Sequence, residues 1–248
     1  MPDLKTTVPT IVYMILDESS SMSGIRQQTI NGYNEHIDVL KKSNNPDIFV
    51  SLIRFCETMN VAIPITEINN VPTLTEENYK PGGTTALYDA IGTVLESHNS
   101  NIKINEIKAN YEDMKNVVII LTDGEENSST KYKAEDIKKM IKDLEATDQW
   151  TFVYLGAEQD SWVAADTIGI KSANVTNYSY ATMDNAMEYT ARRLNAFANS
   201  SLRSSANFMS YVDAQSTRGV DVTTLMQQSD DFEAEAKSKT TSEQNKNK

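Results

Sequence analysis

The chain has 248 residues, with 23 lysines and arginines against 35 aspartates and glutamates, for a formal net charge of -12. At about 150 residues per typical domain that length fits one large domain or two small ones, and it buries a full core without covalent staples. A single cysteine, Cys56, excludes an internal disulfide framework and most zinc-site patterns, and two histidines, His36 and His98, leave little for a histidine-rich metal site. The acidic balance argues against non-specific binding to nucleic acid and against anionic membrane surfaces.

The opening segment has one short apolar run, residues 11–16, which contains Tyr13 and stops at Asp17 and Glu18. This is unlike a signal peptide, and no stretch approaches the roughly 18 apolar residues of a membrane span. The expectation is a soluble, cytoplasmic globular protein. Residues 11–16 have the length and continuity of a strand buried on both faces. A helical pattern follows over 23–42, where Ile30, Tyr33, Ile37 and Leu40 recur every three or four residues, and Asn44, Asn45 and Pro46 end it.

Residues 48–55 and 59–65 read as two more strands, joined too closely for a parallel crossover, which needs about a dozen residues. An antiparallel hairpin is therefore predicted there. A loop with Pro72, Pro81 and the pair Gly82-Gly83 leads to a helix over 86–97. Residues 117–121 form a second wholly apolar strand, followed by a helix over 134–147, a strand over 150–155, a short helix over 161–168 and a short strand near 173–175. A long amphipathic helix over 183–209 carries the stripe Met183, Met187, Ala191, Leu194, Ala198 and Leu202, a packing face for this domain or for a partner. From residue 213 periodicity is lost, and the charged end reads as a flexible tail. Strands alternating with helices predict an α/β fold with a mostly parallel central sheet, one antiparallel edge strand and helices on both faces.

Two of the apolar strands end in aspartates, Asp17 and Asp123, and ligands of open parallel sheets bind outside the carboxyl ends of the strands. After Asp17 come hydroxyls at Ser19 and Ser21, and the loop Pro81-Gly82-Gly83-Thr84-Thr85 adds another before a helix. Two carboxylates and three hydroxyls suit a hard cation such as Mg²⁺, which wants about six oxygens, better than Zn²⁺. These residues carry a resemblance. The pattern D-x-S-x-S at Asp17, Ser19 and Ser21, the Gly82-Gly83-Thr84 loop and the Leu121-Thr122-Asp123-Gly124 turn resemble the von Willebrand factor A (vWA) and integrin I-domain family, and Phe55 ends its strand where that family usually has a phenylalanine.

The resemblance covers roughly residues 8–180 and implies a Rossmann-like vWA fold with a metal-ion-dependent adhesion site (MIDAS). It implies that Ser19, Ser21 and Thr84 bind the metal directly, with Asp17 and Asp123 binding directly or through water. Thr85 is the rival of Thr84, and the family's Gly-x-Thr spacing favours Thr84. The implied ion is Mg²⁺, with Mn²⁺ or Ca²⁺ as alternatives, and an Asp or Glu of a protein partner completes its shell. The expected organisation is a vWA-like domain over 1–180, a helical extension over 181–212 and a tail over 213–248. Lacking disulfides and a signal peptide pattern, the chain resembles the intracellular or prokaryotic and phage branch of the family.

The expected function is metal-dependent protein binding without catalysis. An alternative is a Mg²⁺-dependent phosphoryl-transfer hydrolase with Asp17 as nucleophile, although the second acid such sites use is replaced by Ser19 and no Lys or Arg lies in the three loops to hold a phosphate. A second alternative is a structural subunit whose metal site is unused. Glu18, Glu125 and Glu126 read either as a ring around the site or as solvated loop charges, Asp89 as a supporting or a surface residue, His36 and His98 as surface or capping residues, and Trp150 and Trp162 as core or half-buried.

Overall fold

The computed structural model describes residues 7–43, 45–157, 161–179, 181–204 and 208. The tail expected from residue 213 lies outside them. Among the described residues six strands form one sheet in the order β3-β2-β1-β4-β5-β6, where β1 is Thr10–Asp17, β2 Ile48–Phe55, β3 Met59–Glu67, β4 Lys115–Thr122, β5 Trp150–Ala157 and β6 Val175–Tyr178. All pairings are parallel except β2 with β3, the predicted hairpin at one edge. Every residue of β1 and of β4 is buried, as unbroken apolar runs in a sheet covered on both faces require.

The covering follows from the pleat. Val12, Met14 and Leu16 face one core, which they share with α1 (Arg26–Lys42) and α6 (Met183–Asn199). Ile11, Tyr13 and Ile15 face the other, with α2 (Leu87–Ser97), α3 (Ile102–Asn110), α4 (Ala134–Glu145) and α5 (Ser161–Thr167).

Four expectations are corrected. The first helix begins at Arg26, behind a 3-10 turn over Ser20–Ile25, instead of at 23. The last strand is Val175–Tyr178, since Ser172–Asn174 forms a 3-10 turn. Helix α3 was not anticipated. Its signal is Asn101, whose side chain accepts from the backbone N–H groups of Lys103 and Ile104 at 2.9 and 3.3 Å, ahead of the buried pair Ile104 and Ile107. Helix α6 stops at Asn199 rather than running to 209. There the buried ammonium of Lys115 donates to the carbonyls of Phe197, Ala198 and Ser200 at 2.8, 3.3 and 2.6 Å, consuming acceptors that a continuing helix would need.

Both histidines are interior rather than surface residues, and Trp162 is 42% exposed, in contrast to the buried Trp150. His98 Nδ1 is hydrogen-bonded to the Tyr13 hydroxyl at 2.7 Å, beside the Trp150 ring. His36 lies between α1 and α6, where its Nδ1–H donates to the Met187 carbonyl at 3.1 Å while Nε2 is buried with no hydrogen-bond partner. Burial pushes the His36 imidazole down to about 4.

The unfolded chain, titrating near 6.5, therefore binds the extra proton first as pH falls. The contribution is complete above pH 6.5 and is lost between 6.5 and 4, which amounts to about 2 kcal/mol at pH 5. Urea unfolding at pH 7 and pH 5 should show a loss of stability that is smaller by about that amount in His36→Leu than in the wild type. An equal loss in both proteins would refute the assignment.

Candidate metal centre

The site is assembled at the carboxyl ends of β1 and β4, the two strands at which the chain switches from building one half of the sheet to building the other. The register Leu16 to Leu121 sets Asp17 beside Thr122. Asp17 is fully buried, and each of its carboxylate oxygens is held: Oδ1 accepts from the Ser19 backbone N–H at 2.7 Å and Oδ2 from the Thr122 hydroxyl at 2.6 Å. Burial pushes this carboxyl above its ordinary range, against the pull of those hydrogen bonds, and the neighbouring Asp123 pushes it further.

The first loop then turns its hydroxyls toward the third. Ser19 Oγ lies 3.0 Å from Ser21 Oγ, and the Ser21 hydroxyl donates to Asp123 Oδ1 at 2.6 Å. Asp123 is half-buried, and burial raises its carboxyl too, while the Ser21 bond opposes the rise. Four of the five expected residues, Asp17, Ser19, Ser21 and Asp123, are thus brought together.

Thr84 is not. It is exposed, and its backbone N–H donates outward to Glu57 Oε2 at 3.1 Å. The next residue, Thr85, is buried and aims its hydroxyl into the site. A Cβ built on Gly124 would lie 3.3 Å from Ser21 Oγ, 3.4 Å from Thr85 Oγ1 and 3.8 Å from Asp17 Oδ2. Three side-chain oxygens, two from the first loop and one from the second, therefore face one small space that glycine in the third loop leaves open. The Gly-x-Thr spacing fits two frames, Gly82-Gly83-Thr84 and Gly83-Thr84-Thr85, so the spacing by itself does not separate the two threonines.

The loops are bound to one another. The Ser20 N–H and hydroxyl donate to the Gly83 carbonyl at 3.1 and 2.9 Å, and the Gly82 N–H donates to the Glu18 carbonyl at 2.8 Å, tying the first loop to the second. Asn127 ties the second to the third. Its Oδ1 accepts the Thr85 N–H at 2.9 Å, and its own N–H donates to the Thr85 carbonyl at 3.0 Å. The start of α2 is capped by this same third loop: the Tyr88 N–H donates to Glu126 Oε2 and the Asp89 N–H to Ser129 Oγ, both at 3.0 Å.

Asp89 returns the contact, its carboxylate accepting the N–H groups of Thr130, Lys131 and Tyr132 at 2.8 to 2.9 Å. Burial raises the Asp89 carboxyl, but these backbone bonds outweigh it and hold the group below its ordinary range. Asp89 and Glu126 are thus loop anchors, as is Glu18, which accepts from Arg54 and from the Lys80 N–H at 2.8 and 2.6 Å, whereas Glu125 is exposed. Two buried tyrosines, which sequence reasoning missed, complete the support. Tyr79 donates to the Asp17 carbonyl at 2.6 Å and Tyr178 to the Thr122 carbonyl at 3.0 Å.

Among the described residues no cluster of three or more His, Cys, Asp or Glu side chains forms a metal-binding group. The donors gathered here are two carboxylates and three hydroxyls, the chemistry of a hard, oxygen-binding cation that keeps part of its water. Among the described residues no helix is long and apolar enough to cross a membrane.

The fold agrees with comparisons to known proteins. The family model for the von Willebrand factor type A domain matches residues 12–192. Among solved structures, the ArnB paralog VWA2 from Sulfolobus acidocaldarius matches with a TM-score of 0.51 and 17% identity over 75% of this chain and 46% of that one. The vWF domain of the type V pili tip protein Mfa5 from Porphyromonas gingivalis matches with a TM-score of 0.56 and 11% identity over 79% of this chain and 98% of that one. The pilus adhesin SpaC from Lactobacillus rhamnosus GG, in its open conformation, matches with a TM-score of 0.59 and 10% identity over 78% and 31%.

At such identities the likeness is one of fold, and the chain spans about half the length of the Sulfolobus protein's structure. No curated protein matches the chain. Domains of the matched family are commonly metal-dependent protein-interaction modules. With its six-stranded sheet, its loop order and a family match over most of its length, the chain belongs to the von Willebrand factor type A domain family.

Proposed function

We propose that the three loops hold a divalent cation, Mg²⁺ in the first place, and that the bound ion captures an acidic side chain of a protein partner. The observation that carries this is the convergence of Ser21, Thr85 and Asp17 oxygens on the space beside Gly124, with Ser19 and Asp123 linked to them through Ser21. Ser19, Ser21 and Thr85 supply neutral hydroxyls, and Asp17 and Asp123 supply charge, directly or through water. Two carboxylates balance a divalent ion's charge but, with the hydroxyls, leave part of its shell to water, and an external carboxylate can replace that water as a ligand.

Asp17 acts chiefly by orientation. Both of its oxygens already accept a protein hydrogen bond, which fixes the carboxylate plane against Ser19 and Thr122. The phosphoryl-transfer alternative gains nothing from the geometry. The guanidinium groups of Arg26 and Arg54, which bond to residues flanking the first two loops, are committed to the carbonyls of Tyr79 and Asn78 and to Glu18, and so are not poised to clamp a phosphoryl group.

Removing metal should lower stability by mass action. At a free Mg²⁺ concentration about one hundred times Kd the ion adds about 2.7 kcal/mol, a Tm rise of about 5–10 °C for a domain of this size. The wild type should show that rise and lose it with chelator. Asp123→Asn should melt at or above the wild-type temperature without metal, because one of two crowded carboxylates is neutralised, and should show no rise with it. A Tm indifferent to Mg²⁺ and Mn²⁺ in the wild type would refute metal binding.

For partner capture, pull-downs with Mg²⁺, with chelator, and with Asp123→Ala in Mg²⁺ should retain a protein only in the first case, and replacing the captured Asp or Glu of that protein should release it. Retention in all three would refute capture through the metal.

A further inference from the structure

We infer that Glu57 and Asn127 act as a clamp that decides which of two adjacent threonines faces the metal; this rests on the metal-binding reading above. Thr84 and Thr85 are chemically identical candidates, and successive residues of an extended loop point in opposite directions, so a one-residue shift of the loop exchanges their roles. The bonds that hold the loop to its neighbour on the first-loop side end at residue 83: the Gly82 N–H on the Glu18 carbonyl, and the Gly83 carbonyl on Ser20. Neither constrains the orientation of the following residues.

The next two amides are taken separately, by side chains from two different loops. The Thr84 N–H donates to Glu57 Oε2 at 3.1 Å, in the turn between β2 and β3. The Thr85 N–H donates to Asn127 Oδ1 at 2.9 Å, in the loop after β4, and the Thr85 carbonyl accepts the Asn127 N–H at 3.0 Å. Consecutive amides held by side chains of two different loops accompany Thr84 exposed and Thr85 buried.

The glycine before them fits the same device. Gly83 has a φ of +81°, and a Cβ there would overlap the Glu57 carboxylate, which occupies that space. The turn carrying Glu57 is itself moored to the loop, since the Ala86 N–H donates to the Cys56 carbonyl at 2.8 Å. Glu57 and Asn127 are therefore positioning residues. Neither needs to touch the ion, and each acts through a threonine amide.

The test has a metal-free arm and a metal arm. In metal-free protein, amide exchange followed by NMR should accelerate at least tenfold at Thr84 in Glu57→Ala and at Thr85 in Asn127→Ala. In Mn²⁺ titrations of the otherwise intact protein, Thr85→Ala should weaken binding at least tenfold and Thr84→Ala less than twofold. In the Glu57→Ala/Asn127→Ala background the difference between the two threonine variants should shrink below threefold. Glu57→Gln/Asn127→Asp, which keeps an acceptor oxygen at both positions, should retain the full difference; a merely destabilised fold would not be rescued in this way.

If the double alanine variant does not melt cooperatively, Glu57→Ala alone, a change at an exposed side chain, carries the same comparison. A difference that stays above threefold without the clamp, or a Thr84→Ala loss equal to that of Thr85→Ala in the intact protein, overturns the inference and leaves metal binding standing. Absence of saturable Mn²⁺ binding by the wild type overturns the metal reading, and the clamp with it.

Discussion

A carboxylate with no exposure to water organises this molecule. Asp17 must recover by hydrogen bonding what it loses in hydration, because an unsatisfied buried charge costs several kcal/mol. It does so with the Ser19 amide and the Thr122 hydroxyl, one on its own loop and one on the neighbouring strand. That requirement bends the first loop back over the strand end and holds β1 and β4 in register at the point where both leave the sheet. The serine hydroxyls, Asp123 and Gly124 occupy their positions because Asp17 has been satisfied in this way. The arrangement stays electrically strained, with the carboxyls of Asp17 and Asp123 both raised by burial, and a cation placed between them would relieve that strain.

The fold was legible where the chain is most strongly constrained. Residues 11–16 and 117–121 have no polar interruption apart from Tyr13, and only a strand covered on both faces accommodates such a run. The short link between Phe55 and Met59 forces an antiparallel pair. Helix α3 was not legible, because only Ile104 and Ile107 of its nine residues are buried and no stripe announces it. The end of α6 was not legible either. The stripe continues through Ala198 and Leu202, and what stops the helix is a lysine more than eighty residues earlier in the chain.

The cluster at the strand ends was legible at Asp17, Ser19 and Ser21 because their spacing along one loop is a local property, and at Asp123 because it follows an unbroken apolar strand. The threonine was different. Choosing between Thr84 and Thr85 depends on Glu57 and Asn127, which lie 27 residues before one threonine and 42 after the other. No local pattern encodes such a pairing. Tyr79 and Tyr178 escaped notice for a related reason: an isolated tyrosine in a loop or short strand gives no sign that its hydroxyl caps the carbonyl end of a distant strand. The histidines misled because their helical setting favours exposure, whereas the packing of α6 over α1 and of Trp150 over His98 buries them.

Consecutive residues of β1 belong to opposite cores, Val12, Met14 and Leu16 to one and Ile11, Tyr13 and Ile15 to the other. An insertion or deletion of one residue in this strand would trade the two sets wholesale, setting tyrosine where methionine packs, and would carry Asp17 about 3.3 Å along the strand axis to the wrong side of the sheet. Length in β1 is thus a measuring rod shared by both cores and the loop beyond them. Insertions have room in the outer loops, but the strand itself can change only by exchanging one residue for another of similar shape.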